Sequence, residues 1–200
     1  MKVGDKYYRS VWQDDGDPGS VHVIDQRRLP FSFEVMTLRS VAEVYDAIRD
    51  MAVRGAPLIG AVAAWGVYLS FLEHIGAPGL RGVDEHGSGR DVYTSVMNDA
   101  ERLRLARPTA VNLAWAVGYM TAVLKNYPDV KVMRRAAEGL CDEEAERSRL
   151  IGEHGLPLIE AISSKKGGDA VNILTHCNAG WLACVDFGTA LAPVYLAHEK

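Results

Sequence analysis

Three polar side chains stand together where a short apolar run ends. Residues 171–175 are mostly apolar and rich in β-branched side chains, and His176, Cys177 and Asn178 follow them directly. Such a run, preceded by a glycine-rich turn at residues 167–169, predicts a buried strand of a parallel sheet. Ligand sites of parallel sheets lie at the carboxyl ends of the strands, so Cys177 is a candidate nucleophile.

The helix predicted over residues 182–198 would place Cys177 on a strand-to-helix turn. Amide groups at a helix N-terminus stabilise a thiolate, which makes a cysteine there unusually reactive. The alternative is that Cys177 is a small buried apolar side chain, the usual environment of a free cysteine. His176 and Asn178 favour the functional interpretation, because a strand end that only packs needs no polar cluster.

A candidate anion site precedes a long apolar helix predicted over residues 58–72. Arg54, Gly55 and Ala56 lead into Pro57, which suits the first turn of a helix because its missing N–H has no partner there. Free amide groups, a residue without Cβ and a guanidinium together bind phosphate well. The alternative is that Gly55 only permits a tight turn while Arg54 points to solvent.

A second arginine stands before another predicted helix. Arg107 and Pro108 end one helix, and Thr109 is predicted to cap the next, over residues 110–125. Two arginines ahead of two helix N-termini indicate one anion held from two sides. Two unrelated surface arginines remain the alternative.

The composition narrows the class of protein. The 200 residues are 48% apolar and 24% charged, which suits one large or two small globular domains. The net charge is -4 and lysine and arginine form no block, which argues against nucleic acid as the main partner. The apolar run over residues 56–72 contains two glycines and a serine, so it is predicted as a buried core helix and no membrane association is expected.

The N-terminus and the cysteines indicate in which cellular compartment the protein is expected. The first five residues lack the apolar core of a signal peptide. Cys141, Cys177 and Cys184 match neither a disulfide framework nor the spacing of metal ligands. We therefore expect a cytoplasmic protein.

The remaining patterns predict the elements that position these residues. Alternation over residues 7–12, 21–24 and 31–35 favours a small antiparallel sheet. Further helices are predicted over residues 40–52, 91–106, 130–149 and 156–162, with a loop over residues 76–90 and an interruption at residues 151–155. The predicted fold is α/β overall: a small N-terminal β subdomain plus a helical domain (residues 1–127), then linking helices and the first strand-helix unit of a Rossmann-like parallel sheet (residues 128–200).

Four stretches together carry a family resemblance, at residues 24–30, 51–60, 107–113 and 173–180, with further family-like positions at residues 188–191 and 198–200. The chain resembles the methylthioribose-1-phosphate isomerases. Their superfamily also contains regulatory subunits of the translation-initiation guanine-nucleotide exchange factor. The combination of Arg54-Gly55-Ala56-Pro57 with Thr175-His176-Cys177-Asn178 is highly specific.

The resemblance implies an aldose–ketose isomerase of methionine salvage that converts 5-methylthioribose 1-phosphate to 5-methylthioribulose 1-phosphate without metal or organic cofactor. It assigns substrate contacts to Arg54, Gly55, Ala56 and Arg107, and the catalytic thiol to Cys177. The phosphate locks the sugar ring, so an acid must protonate the ring oxygen. Proton transfer by the thiol and a direct hydride shift both remain open.

The chain departs from the family pattern at its end. The family acid, an aspartate, belongs to a later strand, and a lone strand-helix unit leaves an apolar face bare. We therefore expect a fragment, with the carboxyl-terminal half on a second chain, cleaved or disordered. The resemblance also implies a homodimer. Two alternatives remain: an isomerase of ribose 1,5-bisphosphate or deoxyribose phosphate, and a non-catalytic regulatory subunit of the exchange-factor type.

Overall fold

The computed structural model describes residues 2–76 and 89–200 of the chain. Most of the predicted loop over residues 76–90 therefore lies outside the described residues. The fold is mixed α/β and mostly helical, with two small antiparallel sheets at the N-terminus. The predicted α/β class is confirmed at this level.

The N-terminal strands form a hairpin and a three-stranded sheet. Strands β1 (Lys2–Val3) and β2 (Lys6–Tyr7) pair with each other. Strands β3 (Val11–Trp12), β4 (Val21–Ile24) and β5 (Val35–Leu38) lie side by side in that order. The antiparallel sheet is confirmed, but its last strand lies later than the predicted residues 31–35, because the chain first turns through an exposed segment at Phe31.

Helix α2 (Ala56–His74) is the centre of the core. All residues from Leu58 to Leu72 are buried, as the apolar pattern predicted. Helices α1 (Val41–Arg49), α3 (Gly89–Ala106), α4 (Val111–Asn126) and α5 (Val130–Lys165) pack around it. By length and composition α2 alone among the described helices is apolar enough to cross a membrane, but 83% of its apolar window is buried inside the fold.

Helix α5 corrects the predicted interruption at residues 151–155. It runs unbroken for 36 residues, through Gly152, Gly155 and Pro157. The two glycines let α6 (Ala192–Glu199) approach closely: a Cβ on Gly155 would lie 2.4 Å from Cγ of Pro193, and one on Gly152 would lie 2.9 Å from Leu196. Packing against α6 therefore offsets the helix-weakening effect of these residues.

The first half of α5 shares the core of the preceding helices. Its buried residues Met133, Ala137, Leu140 and Cys141 belong to the same cluster as those of α2. The domain boundary placed after residue 127 stays a prediction.

The predicted carboxyl-terminal strand followed by one long helix is not present in this structure. Residues 171–175 form no strand, and none of the five strands within the described ranges pairs with them. A strand needs a neighbouring strand to complete its backbone hydrogen bonds. None lies beside residues 171–175 in the described structure, where Leu174 is 98% exposed. The helix predicted over residues 182–198 is reduced to a 3-10 turn (Trp181–Ala183) and α6, since Phe187 and Gly188 have φ angles of 61° and 83°.

Candidate functional site

The N-terminus of α2 has the features of an anion site. Gly55 is its N-cap residue with φ 111°, a conformation that favours glycine, and Pro57 lies in the first turn. No side chain of the described residues caps this helix, and its first turn contains no acidic residue. Arg54, immediately before it, is exposed, as is Ala56.

The N-terminus of α4 repeats this arrangement. Its N-cap residue is Ala110, not the predicted Thr109, and no cap from a described side chain is present. A turn in which Ala110 N–H donates to the carbonyl oxygen of Arg107 (2.9 Å) leads the chain into the helix. Arg107 is half-buried beside this turn.

Two other helices show what these two lack. Ser40 caps α1 by accepting from Glu43 N–H, and Asp129 caps α5 by accepting from Val132 N–H. The Glu43 carboxylate also accepts from the N–H of Arg39. In the usual capping box the acceptor binds the N–H of the N-cap residue, here Ser40, so this bond reaches one residue further back. At α2 and α4 the first amide groups and the positive end of the helix dipole are not neutralised in this way.

The two uncapped helix N-termini belong to helices that pack together near their starts. Gly60, in the second turn of α2, is so close to α4 that a Cβ would lie 3.0 Å from the carbonyl oxygen of Asn112. Asn112 is the second residue of α4, and Ala56 begins α2 only about 6 Å along the axis from Gly60. The N-terminus of α4 therefore packs against the second turn of α2, about one helical turn from the point where α2 begins.

Arg54 and Arg107 are not engaged elsewhere. Most arginines of this fold pair with carboxylates, as Arg27 does with Asp25. Within the part of the chain that the structure describes, Arg54 and Arg107 form no ion pair and no side-chain hydrogen bond. Two unpaired guanidinium groups beside two uncapped helix N-termini are suited to a phosphate dianion.

The segment that follows Cys177 packs directly against this candidate anion site. A Cβ on Gly55 would lie 2.4 Å from Cα of Ala183 and 2.5 Å from its carbonyl oxygen. Glycine is therefore required at position 55 both for its backbone conformation and for this approach. The structure thus brings the region around residue 183 next to the Arg54 loop.

Cys177 lies on an exposed bend rather than at a helix N-terminus, which corrects its predicted position. Its thiol is exposed and its φ is 69°, an uncommon conformation for a residue with a side chain. His176 and Asn178 are exposed as well. The bend is anchored two residues later, where the carbonyl oxygen of Ala179 accepts from the N–H groups of Thr189 and Leu191.

The other two cysteines, Cys141 and Cys184, are buried. Burial raises the pKa of the Cys141 thiol to about 12 and that of Cys184 to about 11. Cys177 is the one exposed cysteine of the three. An electrophile from solvent therefore reaches Cys177 first.

Several residues that hold this site were not singled out from the sequence. Ser10 N–H donates to the carbonyl oxygen of Val185 (2.9 Å), and its hydroxyl donates to that of Trp181 (3.4 Å). The Gln26 side chain donates to the carbonyl oxygen of Leu182 (2.6 Å). The only sequence signal for Gln26 was its place in the family-like stretch at residues 24–30.

Asp186 is buried and accepts a hydrogen bond of 2.7 Å from the Tyr7 hydroxyl. Burial, and then this hydrogen bond, raise the pKa of Tyr7. The pair ties the N-terminal hairpin to the segment after Cys177.

A mainly apolar cavity lies away from these helix N-termini. A cavity of about 280 Å³ lies between β2, α5 and α6, with Tyr7, Trp181 and Tyr195 among its lining residues. None of the predicted substrate-binding residues lines it. Its Arg149 already pairs with Glu146 and Glu153, so that guanidinium is not available to a phosphate.

Comparison with known sequences gives consistent matches. The model of the family described as "Initiation factor 2 subunit family" matches residues 52–200. A methylthioribose-1-phosphate isomerase of Desulfatibacillum aliphaticivorans is 46% identical over the whole chain, which covers 52% of that protein. The isomerase of Brucella anthropi is 45% identical, and the chain covers 51% of it. The chain therefore spans about half the length of the curated relatives it matches.

Two solved structures share the fold. One is 5-methylthioribose 1-phosphate isomerase from Pyrococcus horikoshii, with a TM-score of 0.78 and 31% identity, over 97% of this chain and 50% of that one. The other is translation initiation factor eIF-2B, subunit delta, from A. fulgidus, with a TM-score of 0.76 and 36% identity, over 96% of this chain and 52% of that one.

Proposed function

Since the chain belongs to the initiation factor 2 subunit family, we propose that it is part of a sugar-phosphate aldose–ketose isomerase. The reaction is the conversion of 5-methylthioribose 1-phosphate to 5-methylthioribulose 1-phosphate, an intramolecular oxidoreduction in cytoplasmic methionine salvage. Relatives at 42–46% identity over the whole chain carry the name of this enzyme. The observation that carries the proposal is the pair of adjacent, uncapped helix N-termini with two unpaired arginines.

The substrate phosphate binds between α2 and α4 in this proposal. Arg54 and Arg107 donate charge-assisted hydrogen bonds, each stronger than a bond between neutral groups. The backbone around Gly55 and Ala56 supplies amide donors at the positive end of the α2 dipole. A dianion anchored this way fixes the position of C1, the carbon that bears the phosphate.

Cys177 is the proposed catalytic thiol at C1 and C2. Its support is an exposed sulfur on a left-handed backbone, and such outliers occur often at active sites. Either the thiol moves a proton from C2 to C1, or a hydride moves directly between these carbons. Both routes begin with protonation of the ring oxygen, which opens the locked ring.

We further propose that a carboxyl-terminal half like that of the relatives completes the site. It would supply the acid and would pair with residues 171–175 as the first strand of a Rossmann-like parallel sheet. The exposed Ile173 and Leu174 support this, because such a strand would cover them. A homodimer, or association with a second chain that carries this half, belongs to the same proposal.

The test is turnover by the complete protein. We expect it to convert methylthioribose 1-phosphate, with less activity on ribose 1,5-bisphosphate and deoxyribose phosphate. The Cys177→Ser variant should lose at least about 100-fold in kcat, the scale expected when a proton-transfer group is removed. If only ribose 1,5-bisphosphate is converted, the proposed substrate is wrong. If Cys177→Ser keeps full activity, the thiol has no catalytic role.

The alternative is a regulatory subunit, favoured by the likeness to the delta subunit of the A. fulgidus initiation factor. It predicts sugar-phosphate binding without turnover. The same assay separates the two functions, since binding with no product from any of the three sugar phosphates would support the regulatory one.

A further inference from the structure

Gln26 links the two loops that form the candidate site. It follows β4, its exposed fraction is 7%, and its backbone N–H donates to the carbonyl oxygen of Ala52 at 2.9 Å. Its side-chain Nε2 donates to the carbonyl oxygen of Leu182 at 2.6 Å. One buried residue therefore binds two segments that are more than a hundred residues apart in sequence.

Both ends of this link lie beside functional residues. Ala52 precedes Arg54 by two residues. Leu182 precedes Ala183, whose backbone packs against Gly55, and follows Cys177 by five residues. The Gln26 contacts and the contact between Gly55 and Ala183 thus connect the loop at residues 52–55 to residues 182–183 at two adjacent points.

The Gln26 side chain starts from a fixed backbone. Asp25 is buried, its N–H donates to the carbonyl oxygen of Glu34, and its carboxylate accepts two hydrogen bonds from the Arg27 guanidinium. These bonds hold the turn after β4. The Gln26 amide is therefore preorganised for its acceptor rather than free to find another.

Other bonds to the same segment do not make this link. Ser10 binds the carbonyl groups of Trp181 and Val185, and so attaches the segment to the N-terminal sheet. Of Ser10 and Gln26, only Gln26 also binds the loop before α2. Loss of the Gln26 side-chain amide should leave the segment after Cys177 attached to the sheet through Ser10. Its position relative to Arg54 would no longer be fixed.

We propose that Gln26 is a positioning residue that holds the anion loop, residues 54–56, in register with the segment that carries Cys177. This inference rests on the proposed function. It requires a side chain with a donor at this length, since glutamate has no donor when ionised, methionine has none, and asparagine is one methylene shorter.

The experiment compares Gln26→Met with Gln13→Met in the complete protein. Gln13 is the matched control, because its Nε2 also donates to a backbone carbonyl, that of Pro18 at 2.9 Å, within the same sheet region. We expect kcat of Gln26→Met to fall about 10- to 100-fold, the scale of a misplacement of about 1 Å, with KM changed less than about threefold. Gln13→Met should change neither constant.

The second readout needs no turnover. Inorganic phosphate should slow alkylation of Cys177 by iodoacetamide in the wild-type protein and in Gln13→Met. In Gln26→Met this protection should be lost while phosphate still binds. In Gln26→Glu it should return as the pH falls far enough to protonate the carboxyl group, which then donates again.

The experiments test the role of Gln26 separately from the proposed reaction. A protein that turns over no sugar phosphate contradicts the proposed function, and the protection by phosphate then tests Gln26 alone. Equal protection in Gln26→Met and wild type overturns the inference. So does a wild-type protein whose Cys177 is not protected at all, or a kcat loss in Gln13→Met as large as that in Gln26→Met.

Discussion

The backbone of Gly55 packs against the backbone of Ala183 so closely that a Cβ at position 55 would lie 2.4 Å from Cα of Ala183. This contact joins the loop before α2 to the segment after Cys177. It is the direct structural link between the candidate phosphate site and the part of the chain that carries the candidate thiol.

Gly55→Ala should destabilise the protein by roughly 2–4 kcal/mol, because it adds a backbone clash to a φ angle that disfavours alanine. Urea unfolding measures the change. Gly139→Ala, within α5, is the control: a Cβ there meets no atom within 4 Å, so alanine should raise stability by about 0.5–1 kcal/mol. Similar effects at the two positions would contradict the close approach of Ala183.

Arg54→Gln and Arg107→Gln should each weaken binding of inorganic phosphate about tenfold or more, since a hydrogen bond to a charged group contributes about 1.5–3 kcal/mol. Calorimetric titration at constant ionic strength measures this. Arg135→Gln removes the same charge from an exposed position on α5 and should leave the affinity within about twofold. If all three variants lose affinity equally, net charge and not a site explains binding.

Iodoacetamide at pH 8 should label Cys177 at least about 100-fold faster than Cys141 or Cys184. Burial shields the latter two and raises the pKa of each thiol, so little of the reactive thiolate is present. Peptide mass spectrometry at timed intervals gives the three rates. Rapid labelling of Cys184 in the native Cys177→Ser variant would show that the core around it is open.

Cys184 should make stability fall with rising pH. Its pKa is about 11 in the folded protein and lies near 8.5–9 when unfolded, so its contribution is complete below about pH 8.5 and is lost as pH rises toward 11. Between pH 8 and pH 10.5 the wild type should lose about 1–2 kcal/mol more than Cys184→Ala. Urea unfolding under reducing conditions tests this, and parallel pH profiles of the two proteins would refute it.

The sequence predicted best those features that depend on near neighbours along the chain. The unbroken burial of α2, the presence of α1 and the two arginines before helix N-termini all follow from patterns within a few residues. The continuous helix through Pro157 could not be predicted in this way, because α6 packs against Gly152 and Gly155 from more than 35 residues away in sequence.

By itself the sequence determined the α/β class, the buried central helix and the set of candidate residues at 54–56, 107 and 177. Only the tertiary structure decided that the start of α4 packs against the second turn of α2, that Ala183 touches Gly55 and that Gln26 binds both loops. It also left residues 171–175 without a strand. The physical reason is the same in each case: a cap or an apolar face is specified locally, whereas a ladder partner or a backbone contact depends on which distant segment is present to make it.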